Sequence, residues 1–481
     1  MKKVRFNIMK FAFVIGGFIT SAIALNSCSQ ELDVNDDPNN PVDVPASSLT
    51  TSSEVNLAYI LGGDATRMSA NVIQHYAGHR NQPLEYGQYR ITSSTTDNLW
   101  SNLYDVMMDM RAVQTKAEAS GDKIYLGIAQ ILEAYTMSIT TDMFGDVPYS
   151  EAFQGTQNVN PAYDTQESIY PKLISLIDKG IINVKSNEGL KPSTADVIYG
   201  GDVVKWEAFG NSLKLRLYNH LSKKNPSAAK TFLDTNPLLI TSSANNAKVA
   251  FGTSAANANP IYQFDVLSGR KDNAVCNVLV DKMKSLNDPR IPVYFNKVLN
   301  NTSGLAGQYL GNIPGGEDDD SGESKFSRVG SAYGATDSPV ILMSAAEVEF
   351  IKAEIYQRAG DNASAKIAYE KAITEDFAYL GVSGITTYLA NANVVFDNTL
   401  KRIVEQKWIT MYQSSFEAWV DWRRTGFPAL TSATVNRTGG VIPRRLPYPQ
   451  TEVNLNGAQL ASGPGIPVPY EGLKTPVWWD E

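Results

Sequence analysis

The chain has 481 residues, 43% of them apolar and 19% charged, with 50 acidic against 42 basic side chains and a formal charge of −8. That balance repels phosphate backbones and disfavours nucleic-acid partners. With only two cysteines, Cys28 and Cys276, the fold must rest on an apolar core, and there is material for one large domain or two fused lobes.

In the leader, Lys2, Lys3, Arg5 and Lys10 precede "FAFVIGGFITSAIAL", a charged segment followed by an apolar run too short to span a bilayer comfortably. The run ends in Leu25-Asn26-Ser27-Cys28. An apolar residue three before a cysteine, with a small residue directly before it, resembles the lipobox of bacterial lipoproteins, in which the cysteine is acylated and becomes the first mature residue. The plainer alternative is an ordinary signal peptide with a cysteine placed by chance. Fatty acyl chains such as palmitate on Cys28 would anchor the protein, each buried methylene adding about 0.8 kcal/mol. Residues 1–27 then form the leader and residues 28–48, rich in proline and acids, a lipidated tether. Residues 49–481 remain for the folded part, expected to form a single domain. Removing the four basic leader residues takes the formal charge from −8 to −12. No other apolar run is long enough to cross a bilayer, and Cys276 reads as a small core residue rather than a reactive thiol.

Along the mature chain, residues 54–80 and 97–119 read as helices. "YLGIAQILEAYTMSITTDMFG" and "DTQESIYPKLISLIDKGI" pair as helices near 125–181. "VKWEAFGNSLKLRLYNHLSKK" and "NPSAAKTFLDTN" make a second pair near 204–236. A Gly-, Asn- and Ser-rich lobe follows over about 237–340, broken by one helix near 275–286. Such loop-rich text within a compact domain is usually functional. The clearest periodicity is "AEVEFIKAEIYQRAGDNASAKIAYEKAI". Ala353, Tyr356, Gly360, Ala365, Tyr369 and Ala372 fall at the offsets of a tetratricopeptide repeat, a pair of antiparallel helices near 346–376. Asp361 or Asn362 can cap its second helix. Leu400, Ile403, Val404, Trp408, Met411, Tyr412, Phe416 and Trp419 predict one amphipathic helix over 400–422, within a last repeat near 398–425. The final sixty residues are Pro-rich coil expected to wrap over the helices.

The combination resembles the SusD/RagB family of nutrient-binding outer-membrane lipoproteins, in particular its SusD-like branch. The matching segments include the lipobox with "DVNDDPNNP", "WSNLYDVMMDM", "MFGDVPYSEAF", "PAYDTQESIY", "IYGGDVVKWEAFGNSLKLRL", "LNDPRIPVYF", the repeat at 346–373 and "RRLPYPQTEVNLN". The resemblance implies a mostly α fold, four tetratricopeptide-like helix pairs in a right-handed scaffold with an irregular, loop-rich lobe packed on it. It also implies a lipid-anchored protein on the cell surface of the outer membrane, with no catalytic activity and no cofactor. Such a protein captures oligosaccharides or peptides and delivers them to a SusC-type TonB-dependent transporter. Its only tie to the membrane is the anchor.

Capturing glycans needs flat aromatic faces, with amides and carboxylates for the hydroxyls. With 47 aromatic residues, position must decide. His75, Tyr76, Tyr86 and Tyr89 flank a loop, and Tyr309, Phe326 and Tyr333 lie among glycines in the lobe. Trp100 is a further candidate, although core packing is the more natural role for it and for Trp206, Trp408, Trp419 and Trp422. His75 and His79 stand four apart, which would put both on one helix face, but a metal site lacks further ligands in the sequence. The acidic stretch 317–323 lacks the ligand spacing of an EF-hand. A surface glycoside hydrolase, or a tetratricopeptide scaffold for a protein partner, are the alternatives. No Gly-x-Ser-x-Gly, His-Glu-x-x-His or phosphate-loop motif favours catalysis.

Overall fold

The computed structural model describes residues 43–299, 301–318 and 325–481, so Cys28, its tether and most of the acidic stretch 317–323 lie outside the described residues. Thirteen of the helices in the described chain are labelled here. They are α1 (Ala46–Ile60), α2 (Thr66–Val72), α3 (Asn81–Gly87), α4 (Asp97–Ser120), α5 (Lys123–Phe144), α6 (Gln166–Ser186), α7 (Val203–His220) and α8 (Ala228–Leu233). After the lobe helix α9 (Asn277–Ser285) come α10 (Ala345–Arg358), α11 (Asn362–Leu380), α12 (Leu400–Thr410) and α13 (Ser415–Thr425). Their starts are written in the sequence. Asp202 accepts from Val204 N and Lys205 N at 3.1 and 3.2 Å, Ser344 from Glu347 N at 3.1 Å and Thr399 from Arg402 N at 3.2 Å, each satisfying a donor that the first turn leaves open.

Four helix pairs follow, α5 with α6, α7 with α8, α10 with α11 and α12 with α13, the tetratricopeptide-like body that the periodicity predicts. In the third pair Ala353, Ala365, Tyr369 and Ala372 are all fully buried. Gly360 turns the chain at φ +79, and Asp361, not Asn362, caps α11 by accepting from Ser364 N at 3.0 Å. The last pair departs from the expected single helix over 400–422. Met411–Ser414 break it, and Ser415 Oγ donates to Tyr412 O at 2.9 Å, a local bond that competes with the helix ladder. The stretch from 54 to 80 also departs from one helix, because α2 ends at Val72 and the chain beyond it turns. His75 and His79 therefore do not share a helix face. Among the described residues no group of three or more His, Cys, Asp or Glu side chains is placed to hold a metal ion.

Helix α5 is the central rod, buried at every position but its first. It meets α6 at a glycine contact. A Cβ on Gly127 would stand 2.5 Å from Gly180 O, and one on Gly180 would stand 2.7 Å from Ile131 Cγ1. The lobe holds short antiparallel ladders, β3 (Ala247–Val249) with β6 (Val340–Met343) and β4 (Phe295–Asn296) with β5 (Arg328–Val329). A further pair, β1 (Val147–Pro148) with β2 (Tyr163–Asp164), lies between α5 and α6 in the sequence. Tyr135 on α5 donates to Leu342 O at 2.7 Å, tying β6 to the helices. The C-terminal coil does run over the helices, interrupted by two short helices, Gln450–Leu455 and Gly457–Ser462. It is pinned where Leu446 N donates to Met143 O at 2.7 Å and Trp479 Nε1 to Asp142 Oδ1 at 2.7 Å.

A buried ionic cluster joins the pairs. Arg216 on α7 bonds Glu347 on α10 at 2.6 Å and faces Glu417 on α13 at 3.7 Å. His220, also on α7, reaches Glu417 at 2.7 Å and Asp142 on α5 at 3.3 Å. Lys407 on α12 pairs with Asp421 on α13 at 2.7 Å, and Arg424 joins Asp421, at 2.8 Å, to Glu354. Charges taken this far from water are tolerable only as a closed set, so removing one partner costs far more than the net worth of the pair.

Two tests follow from this packing. Ala is a better helix former than Gly by about 1 kcal/mol, yet Gly127→Ala drives a methyl into a backbone oxygen. We expect a net loss of about 1–3 kcal/mol, read as a lower urea midpoint. For His220, burial alone would lower the pKa. Glu417 and then Asp142 outweigh it and hold the ring charged up to about pH 9, against an ordinary 6.5. A raised folded pKa stabilises fully below the unfolded value and is lost above the folded one. Stability should therefore fall by about 3 kcal/mol between about pH 6.5 and about pH 9. The His220→Gln variant should lack that slope in urea titrations; equal slopes would exclude His220 as its source.

Candidate functional site

Helix α1 does not run straight into α2. Between them Leu61–Ala65, "LGGDA", forms a single π-helical turn in which Gly63 leaves helical geometry at φ −98 and ψ −111. The two glycines have different uses. A Cβ on Gly62 would lie 2.7 Å from Pro260 and Val340, so the absence of a side chain lets the lobe close against the helix. A Cβ on Gly63 would meet nothing within 4 Å, because that residue faces an open cleft.

The cleft holds about 590 Å³. Its walls come from the α1–α2 break (Asn56, Tyr59, Ile60, Gly63, Asp64, Arg67), from the first turns of α4 (Leu99, Asn102, Asp105, Val106) and from the lobe (Pro260, Gln263, Phe264). Tyr59 is half-buried, its hydroxyl donating to Ala258 O at 2.9 Å and accepting from Gln263 Nε2, with its ring edge-on to Phe251 at 5.3 Å. Phe264 is half-buried beneath two guanidinium groups, Arg67 at 3.8 Å and Arg270 at 4.6 Å from its ring centre. Arg67 pairs with Asp64, and Arg270 Nε with Asp272 Oδ2 at 2.8 Å. Asn56, Asn102 and Asp105 are exposed. Rings held by their own hydrogen bonds and cation contacts, beside exposed amide and carboxylate groups, suit a flat, hydroxyl-rich ligand.

None of the eight aromatic and histidine candidates named from the sequence lines this cleft. His75 is fully buried, with Nδ1 2.8 Å from Ser415 Oγ and Nε2 2.9 Å from Trp408 O, and burial lowers its pKa to about 3. Tyr76 donates to Gln413 Oε1 at 3.1 Å, and the Tyr89 hydroxyl accepts from Ala433 N at 3.2 Å. Tyr86, on α3, is buried as well. Trp100 packs on α4 between Tyr104 and Phe144, at ring distances of 4.9 and 5.0 Å. Tyr333 is enclosed with Tyr294 and Tyr412 at 5.5 and 6.0 Å. These six present no open face. Tyr309, near Lys297, and Phe326, near His79, stay half-buried in the lobe. The cleft residues Tyr59, Arg67, Asn102, Asp105 and Phe264 escaped the sequence reading. The signal available was the Gly62-Gly63 pair inside a helical pattern.

A family model described as SusD-like, starch-binding and associating with the outer membrane matches residues 38–449. Among solved structures, a SusD homolog from Bacteroides uniformis is 27% identical, covers 91% of this chain and 100% of its own, and superposes with a TM-score of 0.74. A SusD/RagB family protein from Bacteroides thetaiotaomicron, 24% identical, covers 91% of this chain and 99% of its own with a TM-score of 0.76. A chitin-binding SusD homolog from Flavobacterium johnsoniae has the same identity, 24%, the same coverage, 91% and 99%, and the same TM-score, 0.76. A comparison with curated proteins finds no match. The helix pairs, the irregular lobe packed on them and a match spanning most of the sequence make this chain a member of the SusD-like family.

Proposed function

We propose that the protein captures oligosaccharides in the cleft at the α1–α2 break and passes them, unaltered, to a SusC-type TonB-dependent transporter at the outer membrane. The observation that carries the reading is the pair of half-buried rings, Tyr59 and Phe264, fixed in one cleft beside exposed Asn56, Asn102 and Asp105. Sugar rings offer C–H faces to such aromatics and hydroxyls to such amides. The family description, starch-binding and associating with the outer membrane, supports the ligand class and the compartment. The chitin-binding relative supports a glycan over a peptide. Tyr309 and Phe326 are further candidate contacts for a chain long enough to reach the lobe.

Capture rather than hydrolysis is favoured by the state of the cleft's carboxylates. A glycosidase needs two carboxyl groups free for acid, base or nucleophile roles, whereas Asp64 is engaged by Arg67. The attachment read from the leader completes the proposal. Acyl chains on Cys28 and a short tether would hold the domain at the cell surface. No helix of the described residues is long and apolar enough to cross a membrane.

Two measurements test this. Against a panel of neutral oligosaccharides and peptides, Tyr59→Ala and Phe264→Ala should each weaken binding about tenfold, a loss of about 1.4 kcal/mol, with the helical circular dichroism unchanged. Gly63→Leu should obstruct the cleft. Undiminished affinity in all three variants would place the ligand elsewhere. Separately, mass spectrometry of the native protein should find Cys28 as an acylated first residue, and Cys28→Ser should move the protein from the membrane to the soluble fraction. An unmodified terminus would remove the anchor from the proposal.

A further inference from the structure

The cleft's charges are unequally answered. Among its lining residues Asp64 and Asp105 are acidic and Arg67 is the basic one. Asp64 is paired with Arg67, and the nearby Arg270 with Asp272, while both guanidinium groups also cover Phe264. Arg67 Nε, which has no acceptor, is buried within the wall. Asp105 is exposed on α4 and makes neither an ion pair nor a hydrogen bond among the described residues. One turn further along α4, outside the cleft lining, Asp109 is bonded by Ser53 Oγ at 3.4 Å. Burial first, and then the charge of Asp105, raises the Asp109 pKa. The α4 wall of the cleft thus presents the Asp105 carboxylate with no ion-pair partner among the described residues.

We propose that Asp105 reads the charge of the captured chain, so that the cleft takes neutral or amino-bearing sugars and rejects those carrying carboxylate or sulfate. The inference rests on the capture reading and deepens it. Recognition of an anionic sugar calls for a guanidinium or ammonium free to fork onto it, and here Arg67 and Arg270 each already bond an aspartate and lie over Phe264. A carboxylate entering beside Asp105 meets a like charge, the repulsive element that specificity needs alongside attraction. An ammonium at the same place meets an unpaired acceptor.

The test uses hexasaccharides of one linkage, chosen as one that the purified protein binds in neutral form, together with their 2-amino and 6-carboxyl counterparts. At low salt the carboxylated chain should bind at least about tenfold more weakly than the neutral one and the amino chain about threefold more tightly, with both differences shrinking as salt is added. In Asp105→Asn the two charged ligands should shift in opposite directions relative to the neutral chain, a crossed response that a purely structural role would not produce. Neutral binding with equal affinity for the carboxylated chain, or a ratio unchanged by Asp105→Asn, overturns the charge inference and leaves the capture reading standing. Failure to bind any neutral sugar overturns both.

Discussion

Glu417 is the point on which the helical body depends. Placed on α13, it accepts from His220 and faces Arg216, both on α7, while Arg216 bonds Glu347 on α10 and His220 bonds Asp142 on α5. Four helices from separate pairs are thereby held to one set of buried charges. Apolar contacts tolerate sliding, but a buried charge whose partner moves away bears its full desolvation cost. The cluster therefore fixes the register of one helix pair on the next. The C-terminal coil is drawn into the same arrangement, since Trp479 donates to Asp142.

A rigid body of this kind lets a local irregularity become a binding feature. The π-helical turn at Leu61–Ala65 lies where the first helix leaves the body and the lobe leans in. Gly62 admits Pro260 and Val340 to contact, and Gly63 leaves the space in front of it open. The walls of the cleft come from two helices and the lobe, so its shape is set by how those parts are docked. Pre-organised walls reduce the ordering cost of binding a flexible sugar chain. Tyr59 and Phe264 are already fixed by hydrogen bonds and by guanidinium contacts before any ligand arrives.

The aromatic residues divide between these two roles by exposure and not by type. Tyr294, Tyr333 and Tyr412 form a buried stack inside the molecule, and His75 is closed between Ser415 and Trp408. They hold the α12–α13 break against the lobe. The rings that can meet a ligand are fewer, and they sit beside charges that are themselves mostly engaged, with Asp105 exposed and unpaired among the described residues.

Periodicity and capping residues were enough to read the helix pairs, because those are local properties: Ala365, Tyr369 and Ala372 recur at helical spacing, and Asp361 stands where a first turn needs an acceptor. Even so, local pattern missed the break at Met411–Ser414, since an apolar stripe continues across a turn in which the Ser415 hydroxyl bonds Tyr412 O. The cleft was not legible at all. Tyr59, Asp105 and Phe264 are far apart in the chain, and whether an aromatic ring faces water or core depends on what the rest of the chain lays over it. The sequence by itself determined the helices and the means of closing them. Only the tertiary structure decided which rings stay open, because exposure is a property of neighbours brought together by the fold.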